Sequence, residues 1–259
     1  MNAHPMHGAC AGAAALLVLL SACSSMPRNS PPNANDEAAG YNVQLGLGYL
    51  QKGDLAIAKE KLERAEKENP HSPKVHSALG LLYERFGDMK RADEEYRTAL
   101  HYGPKDPEVA NNYAVFLCKS SRTEEGVKYF LEAARNPLYR TPEAAYTNIA
   151  VCLRAAHRDD EAKQSLERAL SIKPNFAEAT YQLVDLEFSR GHLNDARTAL
   201  THYTDSFEAT PDLLLLGVRI ARAMGDRVTA EHYARTLRMD YPTSDQARAL
   251  ADLNRNPGS

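Results

Sequence analysis

The side chains best suited to chemistry in this sequence are four cysteines, Cys10, Cys23, Cys118 and Cys152, and nine scattered histidines. A thiol can be acylated, oxidised to a disulfide, bound to a metal or used as a nucleophile, and its surroundings decide which. No CxxC prepares a pair for redox catalysis, and no HExxH or paired histidine stands at metal-ligand spacing beside carboxylates. GxxxxGK[ST], GxGxxG and GxSxG are absent too. The sequence therefore predicts neither an enzyme nor a metal site, no small-molecule substrate, and surface or capping roles for the histidines. The formal charge of -3 comes from 31 basic and 34 acidic residues spread along the chain, so no basic patch marks a nucleic-acid partner.

The first two cysteines take their meaning from the segment around them. Residues 9–20, ACAGAAALLVLL, form an apolar run too short to span a bilayer as a helix and read as the h-region of a secretory signal. Directly after it, Leu20-Ser21-Ala22-Cys23 resembles the lipobox of bacterial lipoproteins. That resemblance implies a signal peptide over 1–22, cleavage before Cys23, and a covalent lipid on its thiol as the one attached group, with no other cofactor. The alternative is an ordinary signal peptide closed by a chance cysteine. Residues 1–8 lack the Lys or Arg that an n-region normally carries. Each buried methylene of an anchor contributes ~0.8 kcal/mol, so several acyl chains hold firmly where one myristoyl does not. By the same resemblance, Ser24 in place of aspartate implies sorting to the outer membrane of a diderm bacterium. Residues 24–38, SSMPRNSPPNANDEA, offer little to bury and read with Cys23 as a flexible tether, so the folded part is expected to start near Ala39.

From there the sequence repeats. Leu45-Gly46, Tyr49, Gly53, Ala58, Leu62, Ala65 and Pro70 recur as Leu79-Gly80, Tyr83, Gly87, Ala92, Tyr96, Ala99 and Pro104, at a constant spacing of 34. This resembles the tetratricopeptide repeat. Small residues at Gly46, Ala58 and Ala65 admit close approach of two antiparallel helices, Gly53 ends the first, and Pro70 stops the second. Four further copies follow with falling fidelity. The expected fold is all-α, a right-handed superhelix over 39–254 with six helix-turn-helix repeats near 39–72, 73–106, 107–142, 143–176, 177–210 and 211–244. A capping helix from about Ser244 to Leu253 and a disordered tail at 255–259 complete it.

Such arrays bind a peptide or protein along the side lined by the first helix of each pair. In this register the ninth position gives Leu47, Leu81, Val115, Val151, Asp185 and Arg219, an apolar stripe over four repeats and a charged end over two. Asn112 and Asn148 share the sixth position, and Asn111 at the fifth is expected to face the groove more directly. These amides either hold an extended ligand, since an amide donates and accepts at once, or bridge neighbouring helices. Cys118 and Cys152 fall on adjacent first helices of a periplasmic domain. A disulfide closing ~34 residues would contribute roughly 3–4 kcal/mol in the chain-entropy model; two buried free thiols are the alternative.

A more specific resemblance rests on LGLGYLQKGDLAIAKEKLERA at 45–65, NNYAVFLC at 111–118 and PLYRTPEAAYTNIAVC at 137–152. These runs are similar to the type IV pilus biogenesis and stability lipoproteins, the pilotins of the pilus secretin. Ala114 and Ser121 stand where that family often has glycine. Membership implies a monomeric lipoprotein on the periplasmic face of the outer membrane that binds secretin subunits and promotes their localisation and multimerisation there. A general periplasmic adaptor for peptidoglycan enzymes or outer-membrane assembly factors would keep the fold and anchor but change the client.

Overall fold

The computed structural model describes residues 34–255. The expected signal peptide, Cys23 and residues 24–33 lie outside the described residues, as does the tail beyond Arg255. Among the described residues there are thirteen α-helices and no strand. They pair as α1 (Ala34–Lys52) with α2 (Leu55–Glu68), α3 (Pro73–Phe86) with α4 (Met89–Tyr102), and α5 (Pro107–Lys119) with α6 (Thr123–Arg135). Then come α7 (Pro142–Ala155) with α8 (Asp159–Ile172), α9 (Ala177–Ser189) with α10 (Leu193–Thr204), and α11 (Pro211–Ala223) with α12 (Arg227–Asp240), followed by α13 (Asp245–Arg255).

The boundaries follow from local chemistry. Ser72, Asp106 and Thr210 each accept a first-turn backbone N–H with their side chain, and each is followed by a proline, which has no N–H to leave unsatisfied there. Every short turn within a pair passes through positive φ. Gly53, Gly87, Gly191 and Gly225 occupy four of these turns, whereas Ser121 and His157, both at φ 59°, occupy the two central ones. That conformation costs a residue with a Cβ ~1–2 kcal/mol.

Two sequence expectations shift. The chain becomes helical at Ala34 rather than near Ala39, so residues 34–38 belong to α1 and not to a tether. Asp36 and Glu37 lie in its first turn, where a carboxylate favours the helix N-terminus, and Asn69 at the end of α2 donates to Asp36 Oδ1 at 2.6 Å. The closing helix runs from Asp245 to Arg255, two residues past the expected end.

Small residues set the distance within each pair. A Cβ added to Gly46 would lie 2.6 Å from Leu62 Cγ, and one added to Gly80 would lie 2.9 Å from the Tyr96 ring. Ala114 and Ala150 fill the same place in the next two pairs and are fully buried. The large partners Leu62, Tyr96, Phe130, Leu166 and Leu200 are buried in turn, each contributing ~1.5–3 kcal/mol. The run Leu213–Leu216, aperiodic as a sequence, divides between two neighbours. Leu213 and Leu216 join the cluster shared with the fifth pair, and Leu214 joins the cluster closed by Leu250 of α13. Successive first helices touch one another, α1 with α3, α3 with α5, and so on to α11 with α13. They form a continuous wall, the surface on which the site is built.

Candidate protein-binding groove

Across α1, α3 and α5 this wall holds a hollow of about 300 Å³. Its apolar lining is Val43 and Leu47 from α1, Ala78 and Leu81 from α3, and Val109 and Val115 from α5. Helical spacing produces that set: the residues that pack on the second helices and those that face the wall alternate around each first helix. A second hollow of about 180 Å³ adjoins it, sharing Val115 and Lys119 and extending over Phe130, Val151 and Ala155. The predicted stripe of Leu47, Leu81, Val115 and Val151 is thus brought together as the floor of two adjoining hollows.

Polar groups frame the floor. Lys119 Nζ lies 3.1 Å from Glu84 Oε2, and the Tyr96 hydroxyl donates to Glu84 Oε1 at 2.5 Å. Burial and the adjacent carboxylate push the Tyr96 phenol far above its ordinary range, so it stays a neutral donor. Sequence reasoning missed Glu84. Its chain position carries no signal, because its two partners come from α4 and α5.

The asparagines are placed differently from the expectation. Asn112, not Asn111, lines the groove; it is exposed and donates to Ser77 Oγ at 3.1 Å. Asn111 is half-buried on the α7 side, where it accepts from Asn148 Nδ2 at 3.4 Å. One helix position is a rotation of about 100°, enough to move Asn111 from the groove to the seam between α5 and α7. The amides therefore bridge successive first helices, α3 to α5 and α5 to α7. With one N–H committed to Ser77, Asn112 keeps its carbonyl and its second N–H for a ligand backbone.

Cys118 and Cys152 are joined as a disulfide with a Cα–Cα distance of 5.4 Å. It lines the second hollow beside Asn148 and Val151. Room for it comes from Gly126 on α6: a Cβ there would lie 2.4 Å from Cys118 Sγ and 3.1 Å from the Ala114 carbonyl oxygen. The signal was readable, since the other pairs carry Ala58, Ala92, Ala162, Ala196 and Ala230 five residues after the positive-φ turn and only this pair has glycine.

Past α7 the wall changes character. Arg154 donates to Asp185 Oδ2 at 2.9 Å and to Gln182 Oε1 at 3.1 Å, and the Arg219 guanidinium lies over the Phe188 ring at 5.1 Å. The charged end predicted from Asp185 and Arg219 is occupied by these internal contacts. A wider hollow of about 700 Å³ lies off the wall, between the ends of α4 and α6 and the α6–α7 connection. Leu138 stands 79% exposed at its rim. We assign the groove to the wall instead, because there the apolar floor runs across successive first helices from α1 to α7 with Asn112, Asn148 and Lys119 at its edge.

Comparison with known proteins agrees with this geometry. Family models described as tetratricopeptide repeat match residues 43–107 and 153–216. The type IV pilus assembly protein PilF of Pseudomonas aeruginosa is 32% identical over 232 residues, covering 88% of this chain and 92% of that protein. The chain belongs to the PilF family of type IV pilus assembly proteins. A solved structure of Pseudomonas aeruginosa PilF superimposes with a TM-score of 0.64, covering 84% of this chain and 98% of that one at 32% identity. PilW, described as a widely conserved type IV pilus biogenesis factor, gives a TM-score of 0.65 at 29% identity, covering 82% and 98%. Within the PilF family, then, this member presents an apolar wall over its first four repeats and a disulfide in the middle of it.

Proposed function

We propose that this protein is a pilotin, an outer-membrane lipoprotein that binds secretin subunits through the wall of its first four repeats and promotes their localisation and multimerisation. The carrying observation is the solvent-open apolar floor of Leu47, Leu81, Val115 and Val151 in a chain of the type IV pilus assembly family. An exposed apolar floor of this kind is the ordinary sign of a surface meant to be covered by another protein. Asn112, Asn148 and Lys119 fix the polar parts of the client.

The lipobox-like Leu20–Cys23 supports an anchor on the Cys23 thiol, outside the described residues. No helix among the described residues is long and apolar enough to cross a membrane. Ten residues, 24–33, separate Cys23 from the start of α1. The protein carries out no reaction; it locates, holds and releases its client.

Deleting the protein and following secretin multimers in fractionated outer membranes tests the role: multimers fall and subunits accumulate elsewhere. Normal multimers in the outer membrane would contradict it and favour a general envelope adaptor. Metabolic palmitate labelling tests the anchor, with label expected in wild type and lost in Cys23→Ala.

A further inference from the structure

Away from the wall, Glu66 of α2, His76 of α3 and Glu95 of α4 converge, with one ligand atom from each lying within 4.8 Å of the others. The sequence assigned histidines to surface or capping roles, but His76 is only 6% exposed. Three helices supply the three residues, so no spacing along the chain could reveal them.

The hydrogen bonds fix the state of the ring. His76 Nε2 lies 2.9 Å from the Pro70 carbonyl oxygen, which can only accept, so Nε2 carries a proton. Nδ1 lies 2.7 Å from Glu95 Oε2, which also only accepts when ionised. A neutral ring would therefore aim a lone pair at a carboxylate oxygen. A cation must stand between them: at 2.7 Å that is a proton, and a metal ion takes its place only when the gap opens.

A proton is one solution. Burial opposes the charged ring, but the hydrogen bonds to Glu95 and the Pro70 carbonyl, with the nearby Glu66 charge, raise the His76 pKa above its ordinary value. Glu66 is what this solution leaves unexplained. Among the described residues no Lys or Arg forms an ion pair with Glu66 or Glu95, so imidazolium would still leave one negative charge uncompensated. A divalent ion balances both carboxylates and uses the ring in the neutral form that ligation requires. The Pro70 carbonyl on the far nitrogen is the kind of brace that orients metal-bound histidine. The other histidine–carboxylate group, Glu187, His192 and Asp195, differs on this point, because Lys163 Nζ already sits 2.6 Å from Glu187 Oε1.

We propose that Glu66, His76 and Glu95 form a binding site for a divalent transition-metal ion, zinc by ligand type, that ties the first repeat to the second. One imidazole and two carboxylates with a water in the fourth position suit zinc. Ligand distances near 2.0–2.2 Å require the Nδ1–Oε2 gap to open to roughly 3.3 Å. Glu95 is half-buried and can swing by that amount.

The test uses the full-length chain in detergent, stripped with chelator, titrated with zinc chloride and followed by calorimetry and thermal melting. One zinc per chain and a rise in melting temperature with zinc are expected, with no response to magnesium. Glu66→Gln keeps the His76–Glu95–Pro70 set intact, so it should fold and melt like wild type without metal, yet bind zinc at least tenfold more weakly. His71→Gln, which alters an exposed imidazole near Tyr102, should leave zinc affinity unchanged. Zinc affinity equal in Glu66→Gln and wild type, or no stoichiometric binding, would overturn the site and leave the proton as its occupant.

Discussion

The two halves of the wall are built from the same repeat but use it in opposite ways. From α1 to α7 the inward positions are apolar and open, and the few polar groups bridge neighbouring helices with capacity to spare. From α7 onward the polar groups are consumed internally. Arg154 pairs with Asp185, Lys173 with the buried Glu143, and Lys163 and His192 with the buried Glu187. The ends differ likewise: Leu250 of α13 closes the last repeat at 1% exposure, whereas Tyr41 and Leu45 on α1 are 67% and 50% exposed. Their counterparts one repeat on, Val75 and Leu79, are each 1% exposed. One scaffold can thus keep a rigid half and a receptive half, because repeat stability depends chiefly on nearest neighbours.

Breaking the receptive half should have the largest effect. Leu47→Asp with Leu81→Asp places two charges on the apolar floor and is expected to weaken secretin binding by more than ~100-fold, or about 3 kcal/mol, measured by co-purification and calorimetry. Circular dichroism should stay that of the wild type. Next is the disulfide at the junction of the halves. Cys118→Ser should lower unfolding free energy by about 3 kcal/mol in urea titrations under non-reducing conditions, and wild type with dithiothreitol should match it.

Within the rigid half, Glu187→Gln removes the charge that holds Lys163 and His192 and should cost about 2 kcal/mol at neutral pH. Lys163 and His192 outweigh the effect of burial and keep the Glu187 carboxyl below its ordinary pKa of 4.5. The sign follows: its contribution is present above that value and is lost as pH falls through the lowered one. Urea midpoints from pH 7 to pH 3 should therefore converge for wild type and Glu187→Gln. The smallest effect is expected at the central turns. Ser121→Gly and His157→Gly, each relieving a positive φ, should stabilise by about 1 kcal/mol or less and leave binding unchanged.

Much of this contrast was legible in the chain. The 34-residue period, the paired helices and the stripe Leu47, Leu81, Val115 and Val151 follow from spacing, because side-chain direction on a helix is fixed by position. Glycine at 126 among alanines was legible too, though it needed Cys118 beside it in space to acquire meaning. What escaped depends on contacts between repeats. Asn111 and Asn112 differ by one step of rotation, and their partners Asn148 and Ser77 lie on different helices. Glu84, and Glu66 with His76 and Glu95, are assembled from helices whose relative placement no local pattern states. The early start of α1 escaped because Pro31 and Pro32 and the polar run before Ala34 outweighed Asp36 and Glu37 in a local reading.

On the proposed function, secretin subunits are held by the apolar wall of repeats one to four and not by the paired half. Calorimetric affinity for purified secretin subunits, compared among wild type, Leu47→Asp/Leu81→Asp and Asp185→Ala, tests it directly. Binding should be lost in the first variant and stay within about twofold of wild type in the second, since ~0.4 kcal/mol or less is at stake there. Undiminished binding by a well-folded Leu47→Asp/Leu81→Asp protein would contradict the claim.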